Sequence, residues 1–261
     1  AADRAARTSE QEPEPEEQSL VAKEQTGDCF DQQMVKESLG EDSCSGPRGT
    51  SCVGLKECRA PCFATTGLEL SGRQKRILSD LGAAFAKEWT PEITHLVADT
   101  FRRTTKMMCG ICSGVHVVTP NYINACRAEG RLVEEGPYVL KDSICEAAFA
   151  RKRGLRAGYS LPAALERTRR NGALLRGISV FCFPSVIEKR ELPLLVAAAG
   201  GMWLTRFPTT PDDKGVLLLA ERTVSSEREQ QRRKLHEVYD VELLREAACT
   251  QQFRKNAYRL R

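Results

Sequence analysis

The sequence predicts an α/β protein made of two successive units, each a small parallel sheet flanked by helices, behind a disordered N-terminal segment. Three observations carry this expectation. From about position 57, short apolar runs of strand type alternate with amphipathic helical stretches, the pattern of βα units. The same order of elements returns in the second half, as a duplicated supersecondary unit would. Residues 1–56, by contrast, show no apolar period at all. The expected organisation is therefore a disordered acidic and polar segment at 1–56, a first repeat at 57–142, a basic linker with a helix at 143–175, and a second repeat at 176–261.

In the first segment Glu10, Glu12, Glu14, Glu16 and Glu17 repel one another, and too little apolar area is present to offset the entropy of ordering. Ser43 to Ser51 continues with linker-like composition. The first strand is expected around Phe63, followed by a helix over 71–81 whose Ile77, Leu78 and Leu81 face inward and which Gly82 closes. His95, Leu96 and Val97 form the next strand. A helix over 104–113 and a buried strand with Val115, Val117 and Val118 come after it. Thr119 is expected to cap a further helix that has Pro120 at its first position.

Between the halves, 160–170 has the pattern of a capped helix with Leu161, Ala164 and Leu165 on one face. In the second half, Ile178, Val180, Phe181 and Phe183 supply a strand, and 192–199 a helix ended by Gly200 and Gly201. Residues 216–219 form the next strand, and Asp240 is expected to cap a final helix through Ala248.

Composition narrows the function. The 261 residues, 41% apolar, suffice for two small cores. No apolar run approaches the roughly 20 residues of a membrane span, and the N-terminus lacks the order of a signal peptide, so a soluble intracellular protein is expected. With alanine at position 1, it is expected to be a piece of something longer. Eleven scattered cysteines in such a chain point to reduced, largely buried thiols. Cys109, Cys112 and His116 imitate part of a zinc site but lack a second ligand pair, so no metal or cofactor is expected. Gly110-Ile111-Cys112-Ser113-Gly114 has the spacing of a nucleophile elbow, yet a helical pattern precedes it where a strand is required. No catalytic residue is assigned, and an enzyme is not expected.

The stretch from Thr94 to Met108 carries the chemistry. A strand ends at Asp99, and Arg102, Arg103, Thr104 and Lys106 follow where a helix begins, offering unpaired backbone N–H groups and a positive dipole end. Arg103 and Lys106 are three apart, so a helix places them on one face, where a guanidinium fork and an ammonium can share a phosphate. Upstream, the Phe63 strand ends in Thr66-Gly67, a hydroxyl donor followed by a residue that lets the backbone come close.

Taken together, Thr66-Gly67, Thr94-His95-Leu96-Val97 and Arg102-Arg103-Thr104-Thr105-Lys106 resemble the motifs of tandem BRCT repeats, and the resemblance extends from about 57 to 261. It implies two BRCT-like repeats, each a parallel four-stranded sheet flanked by helices, packed in tandem through a linker helix. It also implies a phosphoserine/phosphothreonine peptide-binding module of a nuclear DNA-damage-response scaffold. Phosphate would fall to Thr66, Gly67 and Lys106, and the peptide near its third residue after the phosphoresidue to Arg103. Met108 from the first repeat, and Ile187 and Glu188 from the second, would line the groove receiving that residue. The expected partner is a phosphorylated protein tail or peptide, the expected place the nucleus, and the module a monomer.

The second repeat departs from the pattern, having Phe183-Pro184-Ser185 where the first has its Thr-Gly step, so a single phosphate site is expected. Tyr122 stands where many repeats have a core tryptophan, and 241–244 holds no aromatic residue, which predicts local repacking. Two other functions compete. A cluster of cations in the linker, from Arg151 to Arg176, offers a nonspecific contact to DNA. A phosphate-independent scaffold, using for example the charged stretch Glu227–Leu235, is the other.

Overall fold

The computed structural model describes residues 60–187, 189–210, 214–223 and 226–260. The expected disordered segment and Glu188 lie outside the described residues.

The first repeat runs β1 (Cys62–Thr65), α1 (Gly72–Asp80), β2 (Ala84–Phe85), β3 (His95–Val97), α2 (Thr105–Ser113), β4 (His116–Val118) and α3 (Asn121–Glu129). A 3-10 turn (Gly136–Tyr138) closes that repeat, and the linker holds α4 (Ser143–Arg153) and α5 (Leu161–Asn171). The second repeat runs β5 (Ser179–Cys182), α6 (Leu192–Ala198), β6 (Met202–Leu204), β7 (Val216–Ala220), α7 (Glu227–Leu235), β8 (Val238–Asp240) and α8 (Glu242–Thr250), and a last turn, α9 (Lys255–Tyr258), follows. Each repeat has one four-stranded sheet with every strand parallel, in the orders β2-β1-β3-β4 and β6-β5-β7-β8. Helices cover both faces of such a sheet, which is why its central strands are apolar without alternation. His95, Leu96 and Val97 are all buried.

Local chemistry sets the helix starts. Ser71 and Gln74 form a capping box on α1, the Ser71 N–H donating to Gln74 Oε1 at 2.9 Å. Helix α3 differs from expectation by one residue: Pro120, at φ −56°, occupies the cap position, and no side chain caps the helix. Instead of its hydroxyl, Thr119 uses its carbonyl, which accepts the Tyr122 N–H at 3.0 Å. The proline ring presets helical φ, so no hydroxyl is needed there. Helix α8 likewise differs by one residue from expectation: Val241 occupies the cap position with no side-chain cap, Asp240 just before it accepts the Glu242 N–H at 2.9 Å, and the helix reaches Thr250 and is not the last.

The linker has two helices where one was expected. Helix α4 carries little amphipathic signal, since Ile144 points to solvent and its last turn is Arg151, Lys152 and Arg153. It is anchored by Asp142, which accepts the Cys145 N–H at 3.0 Å, and by Phe149, which packs on Phe101 and Tyr159.

One hydrophobic core joins the halves. Helix α2 is buried from Met107 through Cys112 and packs on α5, α6 and α8, so the first repeat's central helix is also its interface with the second. The elbow-like Gly110-Ile111-Cys112 pattern lies inside this helix; burial pushes the Cys112 thiol up to about 12, and Cys109 likewise. Gly110 is there for close packing, because a Cβ would sit 3.2 Å from both Leu96 and Val115. Tyr122 is fully buried and donates its hydroxyl to the Val133 carbonyl at 3.0 Å. In the second repeat Phe181, Phe183 and Phe207 supply aromatic volume instead, with ring centroids 5.4 to 5.9 Å apart. No helix among the described residues is long and apolar enough to cross a membrane.

Candidate functional site

The C-terminal end of β1 and the N-terminal end of α2 meet, and between them lies an open cavity of about 810 Å³ lined in part by Thr66, Gly67, Thr104, Thr105 and Lys106. The parallel sheet dictates this meeting. Strands β1 and β3 run side by side with Thr65 opposite Val97, so the turn after each emerges on the same edge.

Within the cavity the hydroxyls are linked. The Thr66 and Thr104 Oγ1 atoms lie 2.6 Å apart, and Thr104 caps α2 by accepting the Met107 N–H at 3.2 Å. With one Thr104 lone pair occupied by that amide, its proton can point at Thr66, leaving the Thr66 proton available to an incoming anion. Gly67 has φ +75°, a conformation suited to glycine, and Arg102 pins its carbonyl at 3.1 Å. Lys106 donates to the Thr65 carbonyl at 3.3 Å and to the Lys87 carbonyl. Two of its three donors are thereby used to aim the ammonium, and one remains.

The second repeat reaches this cavity, which the sequence did not disclose. Glu191 and Leu194 line it, and Thr105 donates to Glu191. Lys75 and Lys87 stand opposite Glu69, Glu88 and Glu191, so its rim is charged but mixed.

Arg103 turns away from the cavity. Its guanidinium forks onto Glu242 at the start of α8, at 2.7 and 3.1 Å. The same carboxylate accepts Arg153 at 2.6 Å and Arg245 at 3.1 Å. Burial raises the Glu242 pKa, but the bonds from Arg103 and Arg245 and the Arg153 charge outweigh it and hold the group below the usual carboxylate range.

The remaining expected site residues separate. Met108 is 6% exposed and packs into the shared core, so it offers little surface to a peptide, a consequence of α2 being covered on all sides. Ile187 is 89% exposed. The position of Glu188 is not among those described.

In the second repeat the turn after β5 is filled from within. Ser185 donates to Glu229 Oε1 at 2.6 Å, Arg233 reaches Ser185 at 3.2 Å, and Glu229 is 2% exposed. A carboxylate of the chain itself occupies the neighbourhood where the first repeat leaves a cavity.

Residues 58–140 match the family model described as the Regulator of Ty1 transposition protein 107 BRCT domain. The solved structure of the Brc1 BRCT5-BRCT6 domains of S. pombe superimposes with a TM-score of 0.57 at 22% identity, covering 76% of this chain and 95% of that one. The fold is that of a tandem pair of BRCT repeats. The pair is 27% identical over 164 residues to the human mediator of DNA damage checkpoint protein 1, and 28% identical over 152 residues to the mouse PAX-interacting protein 1. These matches cover 62% and 57% of this chain but only 7% and 13% of the relatives, so the matched region corresponds to a small part of either protein.

Proposed function

We propose that this BRCT pair binds a peptide bearing phosphoserine or phosphothreonine, as a reader module of a nuclear DNA-damage-response protein. The observation that carries the reading is the convergence of the Thr66 hydroxyl, Gly67 in its left-handed turn and the aimed Lys106 ammonium in one cavity at the start of α2. A phosphate there meets a helix N-terminus, a hydroxyl and a cation, each charged hydrogen bond contributing roughly 1.5 to 3 kcal/mol. A dephosphorylated peptide leaves Lys106 without its anion and binds far more weakly.

The peptide then continues toward the junction between the repeats. Arg103, fixed by Glu242, is assigned to the backbone beyond the phosphoresidue, and Ile187 to side-chain contact. Glu191 and Leu194 set the second repeat's share of the cavity wall. The checkpoint and interaction roles named for the relatives agree with this class of function.

Calorimetric titration with a phosphoserine peptide pool and its dephosphorylated twin tests the proposal. Binding of the phosphorylated pool alone, lost in Lys106→Met, is the expected result. Equal binding of the two pools would instead favour a phosphate-independent scaffold, and retention in Lys106→Met would remove the assigned site.

A further inference from the structure

A second cationic surface, differently built, lies on the linker. Residues 151–176 contain eight arginines or lysines and one carboxylate, Glu166, while the rest of the chain holds 31 cations and 34 carboxylates out of totals of 39 and 35. Two of the eight have structural partners: Arg153 pairs with Glu242 at 2.6 Å, and Arg167 donates to the Thr250 carbonyl at 3.0 Å. Arg151, Lys152, Arg156, Arg169, Arg170 and Arg176 are exposed, and none pairs with a carboxylate among the described residues.

The surface has a centre. The loop over 154–160, the first turns of α5 and the end of α8 enclose an open cavity of about 580 Å³, lined by Arg156, Arg167 and Arg254 and by no carboxylate. Arg254 is held rigidly in its wall by Glu246, at 2.7 and 2.8 Å. Tyr159 also lines the cavity, and its buried hydroxyl has no hydrogen-bond partner among the described residues. Ala163, Arg167 and Arg170 follow one another at i, i+4 and i+7, so Arg170 prolongs the cationic line along α5 beyond the cavity.

What the surface lacks is equally informative. Protein partners are usually held by apolar or aromatic anchors at the centre of a contact. The exposed large apolar residues among those described are Phe85, Ile144, Ile187, Leu194, Met202 and Leu235, and none falls within 151–176. Guanidinium groups spread along a helix, with no exposed large apolar residue among them, suit a ligand that presents repeated, evenly spaced phosphates. We propose that the linker face centred on Arg156, Arg167 and Arg254 binds the phosphate backbone of a nucleic acid, without reading its sequence and independently of the cavity at Lys106.

Fluorescence anisotropy of the whole 261-residue chain with a labelled DNA duplex tests this. Contacts to between three and six phosphates give a log–log slope of affinity on salt of about −2.7 to −5.4. Combining Arg156→Ala, Arg169→Ala and Arg170→Ala should reduce that slope by about 2.7 and weaken binding at low salt by about tenfold or more, with the melting temperature unchanged. Arg170→Glu alone should weaken it in the same direction, and Lys106→Met should bind DNA like the wild type. No binding at low salt, or undiminished affinity in the triple variant, would overturn the assigned surface. Loss of binding in Lys106→Met would overturn its independence, and displacement of the duplex by polyglutamate at equal charge would show that the surface serves acidic protein segments.

Discussion

Replacing Glu242 by glutamine keeps the side chain's shape and removes the charge shared by three arginines. Arg103, Arg153 and Arg245 approach this carboxylate at 2.7, 2.6 and 3.1 Å, with side-chain exposures of 26%, 15% and 16% against 20% for Glu242 itself. An arginine cannot shed its proton, so the variant leaves three cations facing one another in a partly dry junction. Breaking a fully buried pair in this way costs about 3 to 5 kcal/mol. Because a fifth or so of each side chain reaches water, screening reduces the loss to about 2 to 3 kcal/mol. For a folded unit of about 200 residues this lowers the melting temperature by about 4 to 12 °C. Scanning calorimetry reads the shift directly. One transition is expected before and after, since a single core joins the repeats. The pH dependence supplies a second reading. Glu242 titrates below its unfolded value, so its contribution is present above about pH 4.5 and is lost as the pH falls through the lowered folded pKa; the glutamine variant should lack that part of the acid sensitivity. A melting temperature within about 1 °C of the wild type would refute the reasoning, because it would mean that the arginines are solvated well enough to need no common anion.

Three further outcomes follow from the geometry. Gly67→Ala introduces a Cβ at φ +75° and 3.2 Å from Arg102, at a strain of about 1 to 2 kcal/mol, and should weaken phosphopeptide affinity about tenfold or more while the fold persists; unchanged affinity in the calorimetric titration would exclude the Gly67 turn from the site. Burial lowers the pKa of His95 despite its bond to Glu135, and burial lowers that of His116 as well, so the unfolded chain binds more protons just below pH 6.5. Stability should therefore decline as the pH falls below about 6.5, and His95→Gln should flatten that decline in chemical denaturation series; an unaltered slope would count against it. Thr168 donates to the Ile111 carbonyl at 2.7 Å, tying α5 to α2, and Thr168→Val should cost about 1 kcal/mol, a melting shift of about 2 to 4 °C, with peptide binding unaffected.

How much of this was visible in the residues depends on how local the cause is. The strands at His95–Val97 and Val216–Ala220 are continuous apolar runs, and the start of α2 is announced by the Thr104 cap, so their existence and order follow from periods and caps a few residues long. Strands β2 and β6 are edge strands with exposed or half-buried residues rather than a fully buried run, and they exist because β1 and β5 offer them a free edge. Helix α4 was missed for a related reason: its stability comes from Phe149 packing on Phe101 and Tyr159, residues outside its own sequence window.

The candidate site divides along the same line. Thr66, Gly67 and Lys106 could be nominated from the sequence because hydroxyl, glycine and lysine each sit at an element's end, where backbone geometry makes their chemistry available. The partners of Arg103 could not, since Glu242 is 139 positions away and meets it only when α2 packs on α8. Glu191 at the cavity wall, Glu229 filling the second repeat's turn and Met108 turning into the core were likewise decided by packing between elements. The repeat, its parallel strands and the proposed anion site at the head of one helix are legible in the residues, because those arise from interactions between near neighbours. Which charges are neutralised, and which repeat keeps an open cavity, emerges only on folding, because a charge's effect depends on what long-range packing brings within a few ångströms of it.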